Sequence, residues 1–286
     1  MAGKLTLVGT PIGNLGDMSP RALRALEEAD FIAAEDTRVT LKLLNHFDIR
    51  RPLVSYYEHN AKRSGERILE RILAGESCAL VTDAGMPSIS DPGEDLAVRC
   101  AGAGVEITVV PGPSAAVSAL ALSALPSGRF CFEGFLSTSG KSRREHLDSL
   151  RGEKRTMLFY EAPHKLVKTL VDLRDAFGPE RRIALCREMT KLHEEVIRTT
   201  LGEAAEMYGE ENPPRGEFVL VIEGAPEDGG ELYTAESALE LVNEYRAQGR
   251  SLKEACRMAA EVTGFKKNEL YDMAVKVNCQ TKCNRN

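Results

Sequence analysis

The sequence lacks most of the features that would assign a class at once. Its seven cysteines are odd in number and form no Cys-x-x-Cys pair or framework spacing. That excludes a disulfide-stapled secreted domain and reads as a reduced chain. Cys279 and Cys283 lie close together in a polar tail, but a structural zinc site needs four ligands and no other Cys or His stands near, so no metal is expected. Positive charge is not in excess: 37 Lys and Arg against 43 Asp and Glu leave a net charge of −6. Coating of nucleic acid by bulk charge is excluded, and a local basic patch is not. Long apolar runs are missing too. The longest weakly polar stretch, 115–125, is far short of the roughly 20 residues that span a bilayer. Leu5–Val8 breaks into Gly-Thr-Pro with no signal-peptide layout. There is no internal repeat and no low-complexity tract, and a soluble cytoplasmic protein is expected.

What is there is length and alternation. With 286 residues, 43% of them hydrophobic, the chain is long enough for two compact domains held together by burial alone. Lys4–Val8, Phe31–Glu35, Leu53–Tyr56, Cys78–Thr82 and Val105–Val110 read as strands. Helix-period segments lie between and after them at Pro20–Ala29, Arg38–Phe47, Ala61–Ala74, Glu94–Ala103 and Ser114–Leu122. Such alternation predicts a mostly parallel sheet covered on both faces, with ligands beyond the carboxyl ends of its strands. After the breaker cluster Ala124–Gly128 the pattern changes. Phe130–Phe135, Thr156–Tyr160, Arg182–Cys186, Val196–Leu201 and Glu217–Ile222 read as strands, some joined by intervals too short for a helix, so antiparallel pairing is expected. A Gly/Pro/acidic linker at 224–230 precedes helical segments near 234–247, 251–263 and 266–276. The division expected is an N-terminal α/β domain over 1–124, a mixed α+β domain over 129–224, a helical module over 231–277 and a polar tail over 278–286.

Several segments suggest chemistry. Gly9-Thr-Pro-Ile-Gly13-Asn-Leu-Gly16 follows the first strand, but its spacing is not the Gly-x-Gly-x-x-Gly of dinucleotide sites. Gly140-Lys-Ser142 resembles the end of a phosphate-binding loop, yet the required earlier glycine is Phe135, which counts against a nucleotide triphosphatase. The stretch Val81–Gly93 puts a long polar Gly/Pro loop between a buried strand and a helix, more than the usual two to six residues. Val109-Val-Pro-Gly-Pro-Ser-Ala115 repeats the device at another strand end. Two rigid loops presenting bare backbone groups suit an adenosine or amino-acid moiety; the alternative is rigid turns with no ligand.

Leu7–Asp17, Ala34-Glu-Asp-Thr-Arg38, Asp83–Gly93, Val110–Ser114, Glu133–Leu136 and Phe159-Tyr-Glu-Ala-Pro-His164 together resemble the tetrapyrrole-methylase superfamily, and within it the branch that methylates ribose 2′-hydroxyls of small-subunit ribosomal RNA. The likeness runs in order from about residue 4 to 224 and continues into the C-terminal helices. It implies two α/β domains with S-adenosylmethionine in the cleft between them, a homodimer, and a cytidine ribose in the decoding region of 16S ribosomal RNA as substrate. Met86, Ser88 and Ser137 depart from the usual pattern in the loops, and Tyr57 stands where His is common.

By that resemblance Ile12, Gly85, Pro87, Ser88, Ile89, Ser114, Ala115, Glu161, Ala162 and Pro163 line the cofactor. A ribose hydroxyl is a poor acid, so a general base is expected among Asp36, Asp83, Glu161 and His164, with Glu161 and Asp36 favoured as carboxylates in the two most specific motifs. The alternatives are that Asp36 pairs with Arg38 or caps the next helix, and that Glu161 and His164 merely precede and begin one. Arg38, Arg50, Arg51, Lys62, Arg63, Lys141, Arg143 and Arg144 are candidate phosphate partners, with Tyr56 and Tyr57 as stacking surfaces, against the alternative of solvated charged faces. Two rival functions stand beside RNA methylation: C-methylation of a tetrapyrrole ring such as a precorrin, and ribosome binding without catalysis.

Overall fold

The first five strands are short and almost wholly apolar: β1 (Lys4–Val8), β2 (Phe31–Ala34), β3 (Leu53–Ser55), β4 (Cys78–Val81) and β5 (Glu106–Val110). They pair in parallel in the order β3-β2-β4-β1-β5. Strand alternation buries both faces. Ile32 and Ala34 pack with Leu26 of α1 (Pro20–Glu28) and Leu44 of α2 (Thr37–His46). Phe31 and Ala33 turn the other way, onto Ile68 and Ile72 of α3 (Ala61–Leu73) and Leu96 and Cys100 of α4 (Gly93–Gly102). The parallel sheet covered on both faces agrees with the alternation in the sequence.

The second sheet is mixed. β6 (Phe130–Phe135), β7 (Thr156–Glu161), β8 (Arg182–Arg187), β9 (Glu195–Thr200) and β10 (Phe218–Ile222) lie in the order β6-β7-β10-β8-β9. Only β6 and β7 pair in parallel; the other pairings are antiparallel. One face is covered by α6 (Gly140–Ser149), α7 (Pro163–Phe177) and α8 (Leu201–Met207), through Leu147, Leu166, Leu170, Leu173 and Leu201. These helices fill intervals that the sequence reading left unassigned.

The opposite face is covered by α5 (Ala115–Ser123), which follows β5 in the chain but packs on the second sheet. Its Ala116, Ala119 and Leu120 meet Leu158, Ala184, Cys186, Val219 and Val221. The segment Ala-Ala-Val-Ser-Ala-Leu-Ala-Leu-Ser is apolar nearly all round, so no stripe in it marks which sheet it covers. The consequence is functional: Ser114 and Ala115, at the start of α5, stand where the two sheets meet.

The computed structural model describes residues 2–226, 235–263 and 265–283. Contacts divide the chain after Ala225 into a unit that holds both sheets and a C-terminal unit. The C-terminal unit is α9 (Ala235–Ala247), α10 (Leu252–Thr263) and α11 (Lys267–Cys283), closed over Ala238, Val242, Ala255, Cys256, Ala259, Leu270 and Ala274. α11 runs to Cys283, beyond the end near 276 expected from periodicity and into the polar tail. The linker from residue 227, Gly264, and the side chains of Cys279 and Cys283 lie outside the described residues. Among the described residues no helix is long and apolar enough to cross a membrane.

Candidate active site

The inner strands β4 and β1 and the edge strand β5 end side by side, and their loops are stitched together. Thr10 and Gly85 exchange backbone hydrogen bonds, N–H of Thr10 to the Gly85 carbonyl at 2.9 Å and the reverse at 3.1 Å. The Thr10 hydroxyl donates to the Thr82 carbonyl at 3.1 Å. Gly85 takes φ +88°, a conformation that disfavours any side chain. Gly9 and Gly112 are in backbone contact: a Cβ added to Gly112 would lie 2.8 Å from the Gly9 Cα. Met86, one of the departures, is accommodated here, its thioether accepting the Gly112 N–H at 3.2 Å.

These loops form one wall of a cavity of about 550 Å³, a size suited to a small-molecule ligand. The far wall comes from the second sheet: Phe135, Tyr160, Glu161–Pro163, Glu188, Met189, Lys191 and Glu217–Val219. Of the expected cofactor positions, Ile12, Gly85, Ile89, Ser114, Ala115, Glu161, Ala162 and Pro163 line it. Pro87 and Ser88 are not among the lining residues. Pro87 is buried, and Ser88 sits at φ +70° with its N–H donated to Asp91 Oδ1 at 3.0 Å, so the turn folds both behind the wall. A second cavity, about 560 Å³ between Arg187, Tyr208 and Arg215, contains none of the expected residues.

Sequence reasoning missed most of the far wall. In the β8–β9 connection Lys191 Nζ bridges Glu188 Oε1 at 2.8 Å and Glu217 Oε2 at 3.1 Å. Those contacts hold the Lys191 ammonium charged despite its desolvation, and Lys191 holds the Glu188 carboxyl below its usual range. Glu188 and Thr190 adopt φ +50° and +65°. Left-handed backbone at a β-branched residue costs roughly 1–2 kcal/mol, and such strain clusters at functional sites. The available signal was a charged connection too short for a helix at a strand end.

The lining fits a cationic ligand. Six carboxylates, Glu35, Asp83, Asp91, Glu161, Glu188 and Glu217, face one ammonium, Lys191. Burial raises the Asp91 carboxyl above its ordinary value, and desolvation does the same at Asp83, reinforced by Glu35 and Asp36. Asp91 Oδ2, on a lining residue, is buried without a hydrogen-bond partner, so polar capacity remains for a ligand.

The four base candidates separate. Glu161 and Asp83 line the cavity; Asp36 and His164 are not among its lining residues. Asp36 caps α2, accepting the Arg38 N–H at 2.8 Å, and pairs with the Arg38 guanidinium at 2.6 Å. That hydrogen bonding lowers its carboxyl to about 2, a weak base. His164 is exposed in the first turn of α7.

Among the phosphate candidates Arg38, Arg50, Arg51, Lys62, Arg63, Lys141 and Arg144 are exposed. Arg143 is not: it is 7% exposed and its Nε donates to Asp172 Oδ2 at 2.6 Å. Lys141 and Arg144 sit on the outer side of α6 and Arg143 on the inner side, a split that the run Lys-Ser-Arg-Arg conceals until helical phase is known. Tyr56 is likewise a core residue, 1% exposed, with its hydroxyl on Asp95 at 3.2 Å, and cannot stack on a base. Tyr57 is exposed.

A family model described as Tetrapyrrole (Corrin/Porphyrin) Methylases matches residues 4–205, and one described as RsmI C-terminal HTH domain matches 238–276. The chain is 45% identical to the ribosomal RNA small subunit methyltransferase I of Synechocystis sp., over 96% of this chain and 98% of that protein. The chain belongs to this family. The Thermotoga maritima relative of the same name is 48% identical, over 78% of this chain and 99% of its own length, so the family includes a member that leaves part of this chain unmatched. Among solved structures, the uroporphyrin-III C-methyl transferase from Thermus thermophilus complexed with S-adenyl homocysteine superposes with a TM-score of 0.54 at 20% identity, covering 77% of this chain and 97% of that one. That likeness is one of fold. Family, fold and enzyme class agree with the expectation raised by the motifs.

Proposed function

We propose that this chain transfers a methyl group from S-adenosylmethionine to the 2′-hydroxyl of a cytidine ribose in the decoding region of 16S ribosomal RNA. The observation that carries methylation of small-subunit ribosomal RNA is the 45% identity, over 96% of the chain, to a relative bearing that name. The finer assignment, a cytidine and its 2′-oxygen, is supported by the resemblance of Ala34–Arg38 and Phe159–His164 to that branch of the superfamily. A homodimer and a cytoplasmic location belong to the same reading.

When bound, S-adenosylmethionine supplies an electrophilic methyl group on a positively charged sulfur. The chain's part is to bind, orient and remove a proton. The loop at Gly85, stitched to Thr10, offers fixed backbone at the cavity wall, and the acidic lining favours a cationic ligand. Glu161 is assigned to take the hydroxyl proton as the buried candidate carboxylate at the wall of the cavity; Asp83 lines the cavity but is exposed, and Asp36 does not line it. Lys141, Arg144 and the exposed Arg50–Arg51 and Lys62–Arg63 pairs supply phosphate contacts despite the net acidity.

The test is transfer of labelled methyl from S-adenosylmethionine to small subunits from cells lacking this gene, with mapping of the labelled nucleotide. Label on one cytidine ribose is expected. Label on a tetrapyrrole ring carbon instead, or subunit binding without label, would overturn the reading.

A further inference from the structure

The only sequence candidate for phosphate binding that turns inward leads, through a chain of buried hydrogen bonds, to the carboxylate at the cavity wall. Glu161 ends β7 and is 4% exposed. Its Oε1 accepts the N–H of Ala162 at 2.9 Å and its Oε2 accepts the Thr169 hydroxyl at 2.5 Å. Thr169 lies on the inner face of α7 and is 1% exposed. Arg143 Nη2 donates to Thr169 Oγ1 at 2.8 Å, its Nε to Asp172 Oδ2 at 2.6 Å and its Nη1 to the Ser137 carbonyl at 3.3 Å.

With Glu161 in the ionised form that a base requires, the directions of the bonds at Thr169 are fixed. A guanidinium has only donors, so the Thr169 oxygen accepts from Arg143. The single hydroxyl hydrogen is thereby left for Glu161, whose carboxylate can only accept. Thr169 stands among Leu166, Leu170 and Leu173 on a helix face that otherwise packs the core. A hydroxyl and a guanidinium at such positions are unfavourable unless each is fully bonded. A leucine and an aliphatic residue would pack there without that condition.

We infer that Thr169 and Arg143 are positioning residues for Glu161, fixing its carboxylate at the cavity wall. The claim that this matters for turnover rests on the methyl-transfer reading above; the claim that Glu161 is held does not. Arg143 ties Glu161 to α6, whose outer side carries Lys141 and Arg144.

Two measurements on the full chain test this. In the first, the crystal structure of Thr169→Val shows the Glu161 side chain displaced from the position described here, while Thr169→Ser keeps it; an undisplaced Glu161 in Thr169→Val overturns the inference whatever the activity. In the second, methyl transfer to small subunits is compared in a cycle with Glu161→Gln. Thr169→Val lowers kcat about 10- to 100-fold, the usual size for a hydrogen bond to a charged group. KM for the subunit stays within about twofold and Thr169→Ser recovers kcat to within about threefold, since only the hydroxyl is at issue. In the Glu161→Gln background the same change adds less than about twofold, as coupled residues are non-additive. A full additional loss there, or a loss that only tracks the folded fraction, overturns the inference. An unmodified chain that transfers no label refutes the methyl-transfer reading alone, because the crystallographic comparison still decides the positioning.

Discussion

Replacing Gly112 by alanine tests whether the close approach of the strand-end loops builds the cofactor wall. The added Cβ would lie 2.8 Å from the Gly9 Cα, 2.9 Å from its carbonyl carbon and 3.0 Å from its oxygen. Carbon atoms in contact prefer about 3.5–4.0 Å, so one loop must move by roughly 0.7 Å, and the obstacle is backbone, with no rotamer to relieve it. The bond from Gly9 N–H to the Val110 carbonyl is already 3.2 Å long, so the movement breaks it, at about 0.5–1.5 kcal/mol. With the overpacking itself the loss is about 1–3 kcal/mol, a fall in Tm of roughly 2–12 °C for a unit of this size. Because Met86, bonded to the Gly112 N–H, and Ser114, two residues on, line the cavity, S-adenosylmethionine affinity measured by calorimetry should fall roughly 10- to 100-fold. The control is Gly102→Ala, at the end of α4, where an added Cβ meets nothing within 4 Å; it should be neutral or stabilising by about 0.4–1 kcal/mol. Gly112→Ala with unchanged Tm and unchanged affinity would refute the reasoning.

Three further outcomes follow from the geometry. Asp36→Asn, which keeps a capping oxygen, should retain methyl transfer within about threefold, whereas Asp36→Ala should unravel the start of α2 by circular dichroism; abolished turnover in a well-folded Asn variant would restore Asp36 as a base. Asp91→Asn should be neutral to stabilising by up to about 1 kcal/mol near pH 7 in denaturant titrations. The sign follows from the raised carboxyl: its ionisation costs stability above the folded pKa, so the gain shrinks as pH falls through that value and is gone below the ordinary 3.8. Tyr56→Phe should lose about 0.5–1.5 kcal/mol of stability through the Asp95 contact and leave subunit binding unchanged, while Tyr57→Ala should do the reverse, with stability within about 0.5 kcal/mol.

The parts of this protein that the sequence determined by itself are those set by local chemistry. Strands such as Phe31–Ala34 are apolar at every position because both faces are covered, and Ser19-Pro20 starts α1 because the serine side chain accepts the Ala22 N–H. The long loops after β4 and β5 were legible as candidate ligand loops because Gly and Pro punctuate them; the ten cofactor positions came from the family resemblance, and eight of them line the cavity. What only the tertiary structure decided depends on direction and on distant partners. α5 is apolar on all sides, so its own residues could not say which sheet it would cover. Arg143 and Arg144 are adjacent in sequence, yet helical phase sends one inward to Asp172 and Thr169 and leaves the other exposed. Lys191 and Glu217 come from separate elements and meet only when β8 and β10 pair. A side chain's type is written in one position of the chain; its partner, and hence its charge state and role, is set by whatever the fold brings against it.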